Sequence, residues 1–494
     1  ALQHLVRLVD DCGATLILSD ERVLSQHRSA FYDAGGCDSI AWRDIGGLEV
    51  LEAPGYRAAP QDLAFLQYTS GSTSVPKGVM VRHANIAANM EMIRAAFGHD
   101  EHSTMVGWLP LFHDQGLLGN LLQPLWVGAS SVHMTPTTFA KRPWLWLQAI
   151  SDHRAHTSGG PNFAYERVLA HLTPERLENV DLRCWRVAFN GAEPVRADTM
   201  ERFARVLKPH GFDPRAHYPC YGLAEGTLFV SGGQPGALPR VRHSQAGGRR
   251  RTLVGSGHPW GDLELAVVSV RTGRRLAPME EGEIWLRGSS IAQGYYRNER
   301  ATRGAFGARL AGQVGCGFLR TGDLGFVDER GELFVSGRLK DMIIVDGRNL
   351  YPQDIELTIA RCHARFVGAG AVFGVDEGAQ VRLVAVQEWR PASDVTFEAL
   401  TRCVRRAVRT EHGVTLAEFL LVRRGQIPRT TSGKVQRNEA RGRFLRKEYS
   451  GPGTFMTSTL SRFVALRRPS LATSGAQRPT PAPIRERLAH RRTR

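Results

Sequence analysis

The sequence predicts an α/β protein with a large layered N-terminal domain, a β-rich subdomain and a smaller α+β domain. Three changes of pattern along the chain support this prediction. Apolar strand-like runs first alternate with helical patterns, shorter runs separated by glycine turns follow, and a mixed pattern begins after Arg338. At 494 residues the chain is long enough for two or more domains.

The first part of the chain contains the strands expected of a layered domain. Residues 1–20 change from a helical pattern into the apolar run Ala14–Leu18, which predicts a helix followed by a buried strand. Further buried strands are predicted at Leu63–Tyr68, Thr104–Leu109, Ser130–Met134 and Trp185–Phe189.

The second part predicts a β-rich subdomain from about Val254 to Ser336, followed by the α+β unit. The strand-like runs lie at Leu263–Val270, Gly282–Arg287, Glu332–Val335, Met342–Val345, Gly368–Phe373 and Val381–Gln387, and the helical patterns lie near Asp354–Cys362 and Thr396–Arg409. The predicted division is a large domain over 1–337, a linker over 338–341, a small domain over 342–449 and a tail over 450–494.

The net charge of +16 suggests an anionic partner, but the charge is unevenly distributed. From Gly451 onward there are nine Arg against one Glu, so the tail carries half of the net charge. This tail is rich in Pro, Ser and Thr without apolar periodicity, which predicts a disordered segment. We therefore do not expect nucleic-acid binding by the folded part, although an anionic partner for the tail is an alternative.

The cellular compartment is predicted from the spacing of the cysteines and from the lack of a membrane-helix or secretory-signal pattern in the sequence. No run approaches the roughly 18 apolar residues of a membrane helix, and the chain opens without the pattern of a secretory signal. The cysteines are scattered singly at Cys12, Cys37, Cys184, Cys220, Cys316, Cys362 and Cys403. Because this spacing fits neither a zinc site nor a disulfide framework, we expect a cytoplasmic protein without a transmembrane segment.

A glycine- and hydroxyl-rich segment, Tyr68–Gly78, follows the second predicted strand and contains Lys77. Small side chains let backbone amides approach phosphate oxygens, so the segment is a candidate phosphate-binding loop. It does not match the common P-loop pattern, because Gly78 rather than Ser or Thr follows the lysine. The chain has six Lys against 58 Arg, which also draws attention to Lys77. The alternative is a flexible connector.

The order T-S-G-S-T-x-x-P-K-G in this segment resembles the signature of the adenylate-forming superfamily, which includes acyl-CoA synthetases, luciferases and the adenylation domains of peptide synthetases. In that family the loop binds the triphosphate of ATP. The resemblance implies this role for Thr69, Ser70, Gly71, Ser72, Thr73 and Lys77.

Two later segments are similar to the nucleotide pocket of that family. Phe189–Pro194 resembles the adenine-binding turn, which implies a role for Asn190, Gly191, Ala192 and Glu193, although alone it is an ordinary turn. Tyr218–Glu225 resembles the Y-G-x-x-E element. The resemblance implies that Tyr221 stacks on adenine, with Gly222 and Leu223 beside it, and that Glu225 binds Mg²⁺. Outside this family, Glu225 would be read as an exposed carboxylate.

The ribose site and the hinge are implied by two further matches. Arg320–Phe326 contains T-G-D, so Asp323 is expected to accept the ribose hydroxyls, although a tight-turn aspartate is the alternative. Arg338 is expected to add a donor on the ribose or phosphate side. Lys340 occupies the family's hinge position, where a mechanical role is expected. The family's small domain is mobile, so residues 342–449 are expected to move relative to the large domain.

The segment Ile427–Arg437 resembles the family motif P-[KR]-T-x-[ST]-G-K, in which the lysine is Lys434. The family assigns this lysine a place between the acid's carboxylate and the α-phosphate. Two anions must meet in adenylation, so a cation between them lowers their repulsion and stabilises the developing charge. Lys434 is therefore the principal catalytic candidate.

The acid and its acceptor are implied by three segments. Leu109–Leu117 is similar to the acyl-channel segment of fatty acyl ligases, with His113 near the carboxylate entrance as a catalytic candidate or a packing residue. Ser158–Glu166 resembles the fatty acyl-AMP ligase branch. Arg297–Phe318 looks like the insertion that separates this branch from CoA ligases by hindering domain rotation. The implied acceptor is the phosphopantetheine thiol of an acyl carrier protein, often on a polyketide or peptide synthase.

The sequence thus predicts a fatty acyl-AMP ligase that uses ATP and Mg²⁺ to activate a long-chain fatty acid and then transfers it to a carrier thiol. The resemblance covers roughly residues 1–448, and members carry a further stretch before the point where this chain begins. We therefore expect part of the large domain to be absent. The alternatives are a long-chain fatty acyl-CoA ligase, a catalytically inactive truncated binding protein and a nucleic-acid binder acting through its basic tail.

Overall fold

The computed structural model describes residues 2–48, 55–69, 77–244, 251–313, 315, 317–345, 348–377, 380–391, 395–430, 433–449 and 454–457. The α-helices are α1 Leu2–Cys12, α2 Glu21–Asp33, α3 His83–Phe97, α4 Gln123–Val127, α5 Pro136–Lys141, α6 Leu145–Asp152, α7 Asn162–Leu169, α8 Pro174–Leu177, α9 Ala197–Leu207, α10 Glu299–Ala305, α11 Pro352–Arg361, α12 Phe397–His412 and α13 Arg437–Leu445. The first strands are β1 Leu16–Ser19, β2 Ala41–Asp44, β3 Leu63–Thr69, β4 Lys77–Arg82, β5 Thr104–Gly107, β6 Ser130–His133, β7 Thr157–Gly160, β8 Val187–Asn190, β9 His217–Gly222, β10 Phe229–Gly232, β11 Val241–Ser244 and β12 Arg251–Val254. The remaining strands are β13 His258–Pro259, β14 Glu264–Val268, β15 Gly282–Arg287, β16 Leu319–Val327, β17 Leu333–Arg338, β18 Ile343–Val345, β19 Arg348–Leu350, β20 Phe366–Glu377, β21 Gln380–Trp389, β22 Leu416–Arg423 and β23 Phe455–Met456.

The largest sheet lies in the first half of the chain. Seven of the described strands form it in the order β13-β10-β9-β8-β7-β5-β6. The pairs from β6 through β9 are parallel, and β10 and β13 add antiparallel pairs at one edge. Helices pack against it through a core that includes Trp146, Tyr165, Trp185 and Phe203. This packing confirms the predicted layered α/β fold.

The β-rich part that follows contains an antiparallel sheet in the order β14-β15-β16-β17. The antiparallel pairing of β16 with β17 places Asp323 opposite Arg338. A short 3₁₀ turn, Leu339–Asp341, then leads into β18. The last strand of this sheet, β17, therefore ends where the predicted hinge begins.

The C-terminal unit is built on a sheet in the order β20-β21-β22-β23. Helices α11 and α12 cover one face through a cluster that includes Ile355, Val404 and Phe419, and α13 covers the other through Phe444. Helix α12 begins where the Thr396 side chain accepts a hydrogen bond from the Ala399 amide. In the described residues, the apolar clusters before and after 338–341 share no members.

Three expectations about individual strands were wrong. The predicted strand at Ala14–Leu18 begins at Leu16 and is not buried, because it pairs with β2 in a two-stranded sheet that leaves Leu16 46% and Leu18 51% exposed. The run Leu63–Tyr68 forms a strand as predicted, but only Gln67 in it is buried, because it pairs with β4 alone in a two-stranded sheet. Strand β6 is an edge strand whose residues are half-buried or exposed. Apolar runs predicted the strands, but burial depends on neighbours distant in sequence.

No helix in the described part of the chain has the length and apolar character needed to cross a membrane.

Candidate active site

A cavity of about 950 Å³ lies between the large sheet, the β16–β17 strand pair and the C-terminal unit. It brings together residues that are far apart in sequence. The sequence-predicted residues that line it are Lys77, His113, Gly191, Ala192, Glu193, Tyr221, Gly222, Leu223, Glu225, Arg338, Lys340 and Lys434. Asn190 and Asp323 lie behind this lining, and both are buried.

The predicted phosphate loop lies largely outside the described residues. Ser70, Gly71, Ser72 and Thr73 belong to the part of the chain that is not described, and Thr69 is described only as the last residue of β3. The loop connects β3 to β4, whose pairing places Thr69 opposite Lys77. The Lys77 ammonium lies 4.9 Å from the centre of the Tyr295 ring, close enough for a cation–π contact. The strand pair therefore presents Lys77 to the cavity.

Asp323 joins a tyrosine to an arginine at the cavity wall. The Tyr221 hydroxyl donates to Asp323 Oδ2 at 2.7 Å, and Arg338 Nε lies 3.0 Å from Oδ1. Burial and the Asp323 carboxylate raise the pKa of Tyr221 well above its ordinary value. The preceding Gly322 has φ 71°, a conformation that glycine adopts without strain. The T-G-D segment thus turns sharply and fixes a carboxylate next to an aromatic ring.

The turn after β8 packs tightly against neighbouring backbone. A Cβ atom at Gly191 would come within 2.8 Å of the Cys220 carbonyl oxygen, so only glycine fits without movement. Glu193 Oε1 accepts a hydrogen bond of 2.5 Å from the Phe163 amide, and burial raises the pKa of Glu193. Asn190 is fully buried and donates to Asn162 Oδ1 at 3.4 Å. The turn is therefore held in place from both sides.

Glu225 is the predicted metal-binding carboxylate, and it is half-buried rather than exposed. Its Oε1 accepts a 2.7 Å hydrogen bond from the Tyr295 hydroxyl. The described residues contain no group of three or more His, Cys, Asp or Glu that could hold a metal ion. Mg²⁺ is commonly bound by one or two carboxylates together with substrate phosphates, and this donor set fits that arrangement.

Lys434 reaches the cavity from the C-terminal unit. It lies in a tight turn closed by hydrogen bonds between its backbone and Thr430, with Gly433 at φ 87°. Burial and Arg338 lower the pKa of Lys434, while Asp114, Glu193 and Asp323 act in the opposite direction. The lysine therefore interacts with two carboxylates from the part of the chain that builds the large sheet and with Asp323 of the β14–β17 sheet.

The His113 ring contacts its neighbour Asp114, with Nδ1 and Oδ1 2.5 Å apart. Burial raises the pKa of Asp114, but the opposing effects of His113 and Lys434 outweigh it, so the pKa is lowered overall. Asp114 also accepts from the Gln115 amide, where a π-helical turn, Gln115–Leu122, begins. Such turns are frequent at functional sites. Asp114 is charged and close to Lys434.

The sequence reasoning missed three residues of this site. Asp114 stood inside the quoted acyl-channel segment without a role, although it follows His113 directly. Tyr295 joins Lys77 to Glu225, and nothing in its local sequence indicated this. Arg437 closes the Lys434 motif and pairs with Asp341. Only the motif neighbours, Asp114 and Arg437, could have been found from sequence.

Two family models match the chain. The model described as AMP-binding enzyme matches residues 2–296, which is more than half of the chain. The chain belongs to the AMP-binding enzyme family. A model described as the AMP domain of Disco-interacting protein 2-like proteins matches residues 340–451.

Relatives of the chain include ligases of fatty acids. A medium-chain fatty acid–acyl-carrier-protein ligase of Moorena producens is 42% identical, with 78% of this chain and 68% of the relative covered. A long-chain fatty acid–AMP ligase of Mycobacterium marinum is 37% identical, with 76% and 68% covered. A solved structure from work on fatty acyl-adenylate ligases of E. coli and L. pneumophila is 31% identical with a TM-score of 0.82, covering 90% of this chain and 81% of that one. The chain thus spans about two thirds of the length of these two relatives.

Proposed function

We propose that this AMP-binding enzyme joins a fatty acid to AMP, releasing pyrophosphate from ATP, and then transfers the acyl group to the thiol of an acyl carrier protein. One observation carries the proposal. Lys434 from the C-terminal unit lies in the cavity beside Arg338 and near Asp114, Glu193 and Asp323. A cation that is held between elements of two units can bring a carboxylate and a phosphate together.

The nucleotide roles follow from the chemistry of the lining. Asp323 would accept the ribose hydroxyls, since it is held by Tyr221 and Arg338 at a fixed position. The backbone of Asn190, Gly191, Ala192 and Glu193 would receive the adenine beside Tyr221, Gly222 and Leu223. Lys77 would bind the triphosphate together with Thr69, Ser70, Gly71, Ser72 and Thr73.

Mg²⁺ would be held by Glu225 and the phosphates of ATP. When bound, it neutralises phosphate charge during attack of the carboxylate. The Tyr295 hydroxyl orients the Glu225 carboxylate, and the same ring lies beside the Lys77 ammonium. One aromatic side chain would therefore position both of these phosphate-binding groups.

Domain movement is part of the proposal. Residues 1–337 would bind ATP and the acid, residues 338–341 would serve as the hinge, and residues 342–449 would move as the small domain. Lys340 is exposed in the 3₁₀ turn between the two sheets and would act mechanically. The cytoplasmic location expected from the scattered cysteines also stays a prediction.

The acid and the acceptor are proposed from the lining and from the relatives. Beyond His113, the cavity is lined by Ile93, Phe97, Leu228 and Phe229, which suit an aliphatic chain. The relatives named above are ligases that produce acyl-AMP or load carrier proteins. The insertion-like segment Arg297–Phe318 would restrict movement of the small domain, and two of its described residues, Leu310 and Phe318, are buried in a cluster with Ala266, Val268 and Trp285.

The test is incubation of the chain with ATP, Mg²⁺ and fatty acids of graded length, with pyrophosphate and acyl-AMP as readouts. A holo acyl carrier protein and CoA are then offered separately, and the products are identified by mass spectrometry. Acyl carrier protein product supports the proposal, and acyl-CoA as the sole product favours the CoA ligase instead. Absence of pyrophosphate with every acid would favour an inactive binding protein.

A further inference from the structure

A group of buried polar side chains lies at the deep end of the proposed acyl part of the cavity. His99 follows α3, Thr157 is the first residue of β7, and both line the cavity at 3% exposure. The other end of β7 leads to Phe163, whose amide contacts the proposed adenine turn. Because a strand rises about 3.3 Å per residue, Thr157 lies roughly 10 Å below the C-terminal end of β7 at Gly160.

Hydrogen bonds join this group into a chain. His99 Nε2 lies 2.8 Å from Thr157 Oγ1, and His156 Nδ1 lies 2.9 Å from the same oxygen. Gln123 Nε2 lies 3.5 Å from His99 Nδ1. With either tautomer of His99, the Thr157 hydroxyl donates to one of the two imidazole rings and accepts from the other, so both nitrogens of His99 are engaged within the chain.

This chain leaves acceptor capacity without a donor. In this chain the Thr157 hydroxyl uses its proton and one lone pair, so Oγ1 keeps a second lone pair on a residue that lines the cavity. The group therefore fits a ligand that brings its own hydrogen-bond donor.

The ligand group that fits here is uncharged. Burial lowers the pKa of His99 to about 3, with His156 acting in the same direction, so the His99 ring is neutral at physiological pH. Burial also lowers the pKa of His156. A carboxylate placed against these neutral groups would keep most of its desolvation cost, whereas a hydroxyl both donates and accepts without charge.

Aromatic side chains lead directly to this polar end. The Phe97 ring lies 5.4 Å from the His99 ring, 6.3 Å from the Phe189 ring and 5.5 Å from the Phe229 ring, measured between centroids. All four of these residues line the cavity. An aliphatic chain that runs along Phe97 therefore meets His99 and Thr157 at its far end.

We propose that the preferred acid is a hydroxy fatty acid whose hydroxyl lies toward the end remote from the carboxylate and donates to Thr157 Oγ1. This inference rests on the proposed function and narrows its substrate class. An unsubstituted chain that reaches the same depth leaves the second lone pair of Thr157 without a donor. Discrimination by one hydrogen bond of ordinary strength corresponds to roughly tenfold in kcat/KM.

The test compares acids in matched pairs with the full chain. ATP–pyrophosphate exchange is measured for ω-hydroxy and unsubstituted acids of the same length, from hexanoic to hexadecanoic acid. At the length that reaches Thr157, the hydroxy acid should have a kcat/KM about tenfold higher, mainly through KM. Equal or lower values for the hydroxy acid at every length overturn the inference and leave the proposed function standing. If none of the tested acids supports ATP–pyrophosphate exchange, the proposed function is rejected, and this inference is rejected with it.

A variant then tests whether the Thr157 hydroxyl causes the preference for hydroxy acids over unsubstituted acids. Thr157→Val removes the hydroxyl at nearly constant shape and should reduce the hydroxy-to-alkyl ratio to about one. The matched control is Thr401→Val in α12, which removes another buried hydroxyl that has no partner among the described residues. This control should leave the ratio unchanged. Equal ratios in the wild type and Thr157→Val would contradict the assignment, and the wild-type comparison decides the inference even if the variant does not fold.

Discussion

Arg437 and Glu356 are joined by two hydrogen bonds of 2.7 Å each, which connect the first residue of α13 to α11. The same guanidinium also lies 3.2 Å from Asp341, at the end of the proposed hinge. Arg437 follows Lys434 by three residues. A single planar cation thus ties the Lys434 turn to the hinge and to the small unit's first helix.

Replacement of Arg437 by glutamine should lower the free energy of unfolding by about 2 kcal/mol, because it leaves the largely buried carboxylates of Glu356 and Asp341 without their cationic partner. Urea denaturation followed by circular dichroism measures this change. The matched control is Arg443→Gln in the same helix, whose pair with Glu439 is exposed. That control should change the free energy of unfolding by less than about 0.5 kcal/mol. Similar values for both variants would contradict a structural role for the Arg437 pair.

Lys434→Ala should reduce acyl-AMP synthesis by about 100-fold or more, because it removes the ammonium that interacts with Asp114, Glu193 and Asp323 in the cavity. Binding of ATP to residues 1–337 should persist, since Asp323 and Tyr221 are unchanged. Equilibrium dialysis with ATP and a pyrophosphate assay separate the two effects. Lys141→Ala, an exposed lysine of α5, serves as the control and should keep full activity. An unchanged rate in Lys434→Ala would reject the proposed mechanism.

The pH dependence should show an alkaline limb below the range of an ordinary lysine. Burial and Arg338 lower the pKa of Lys434, so its ammonium loses its proton at a lower pH than a solvated side chain would. Because the proposed role needs the charged form, kcat/KM for ATP should fall as pH rises through that lowered pKa. Lys434→Arg should be slower but should lack this limb, since a guanidinium stays charged. A limb at the same pH in both proteins would assign it to another group.

The features that the sequence predicted are those that depend on neighbouring residues, such as turns and individual strands. The turns next to Asp323 and Lys434 follow glycines whose backbone conformation is restricted, because Gly322 and Gly433 have φ values of 71° and 87° that favour glycine. Contacts between distant segments were not readable. The Tyr295 hydroxyl meets Glu225 across 70 residues of chain, and the exposed face of β1 depends on which strands pair with it. Pairing partners are set by tertiary packing, so local propensity leaves them open.

Tyr295→Phe should raise the Mg²⁺ concentration needed for half-maximal adenylation by roughly tenfold, because the lost hydroxyl no longer orients the Glu225 carboxylate. The ring is kept, so the cation–π contact with Lys77 persists and the maximal rate at saturating Mg²⁺ should change little. Titration of Mg²⁺ after chelator treatment measures the shift. Tyr449→Phe is the matched control, because the Tyr449 hydroxyl is buried without a partner among the described residues. If both variants titrate like the wild type, Glu225 does not depend on Tyr295 for its position.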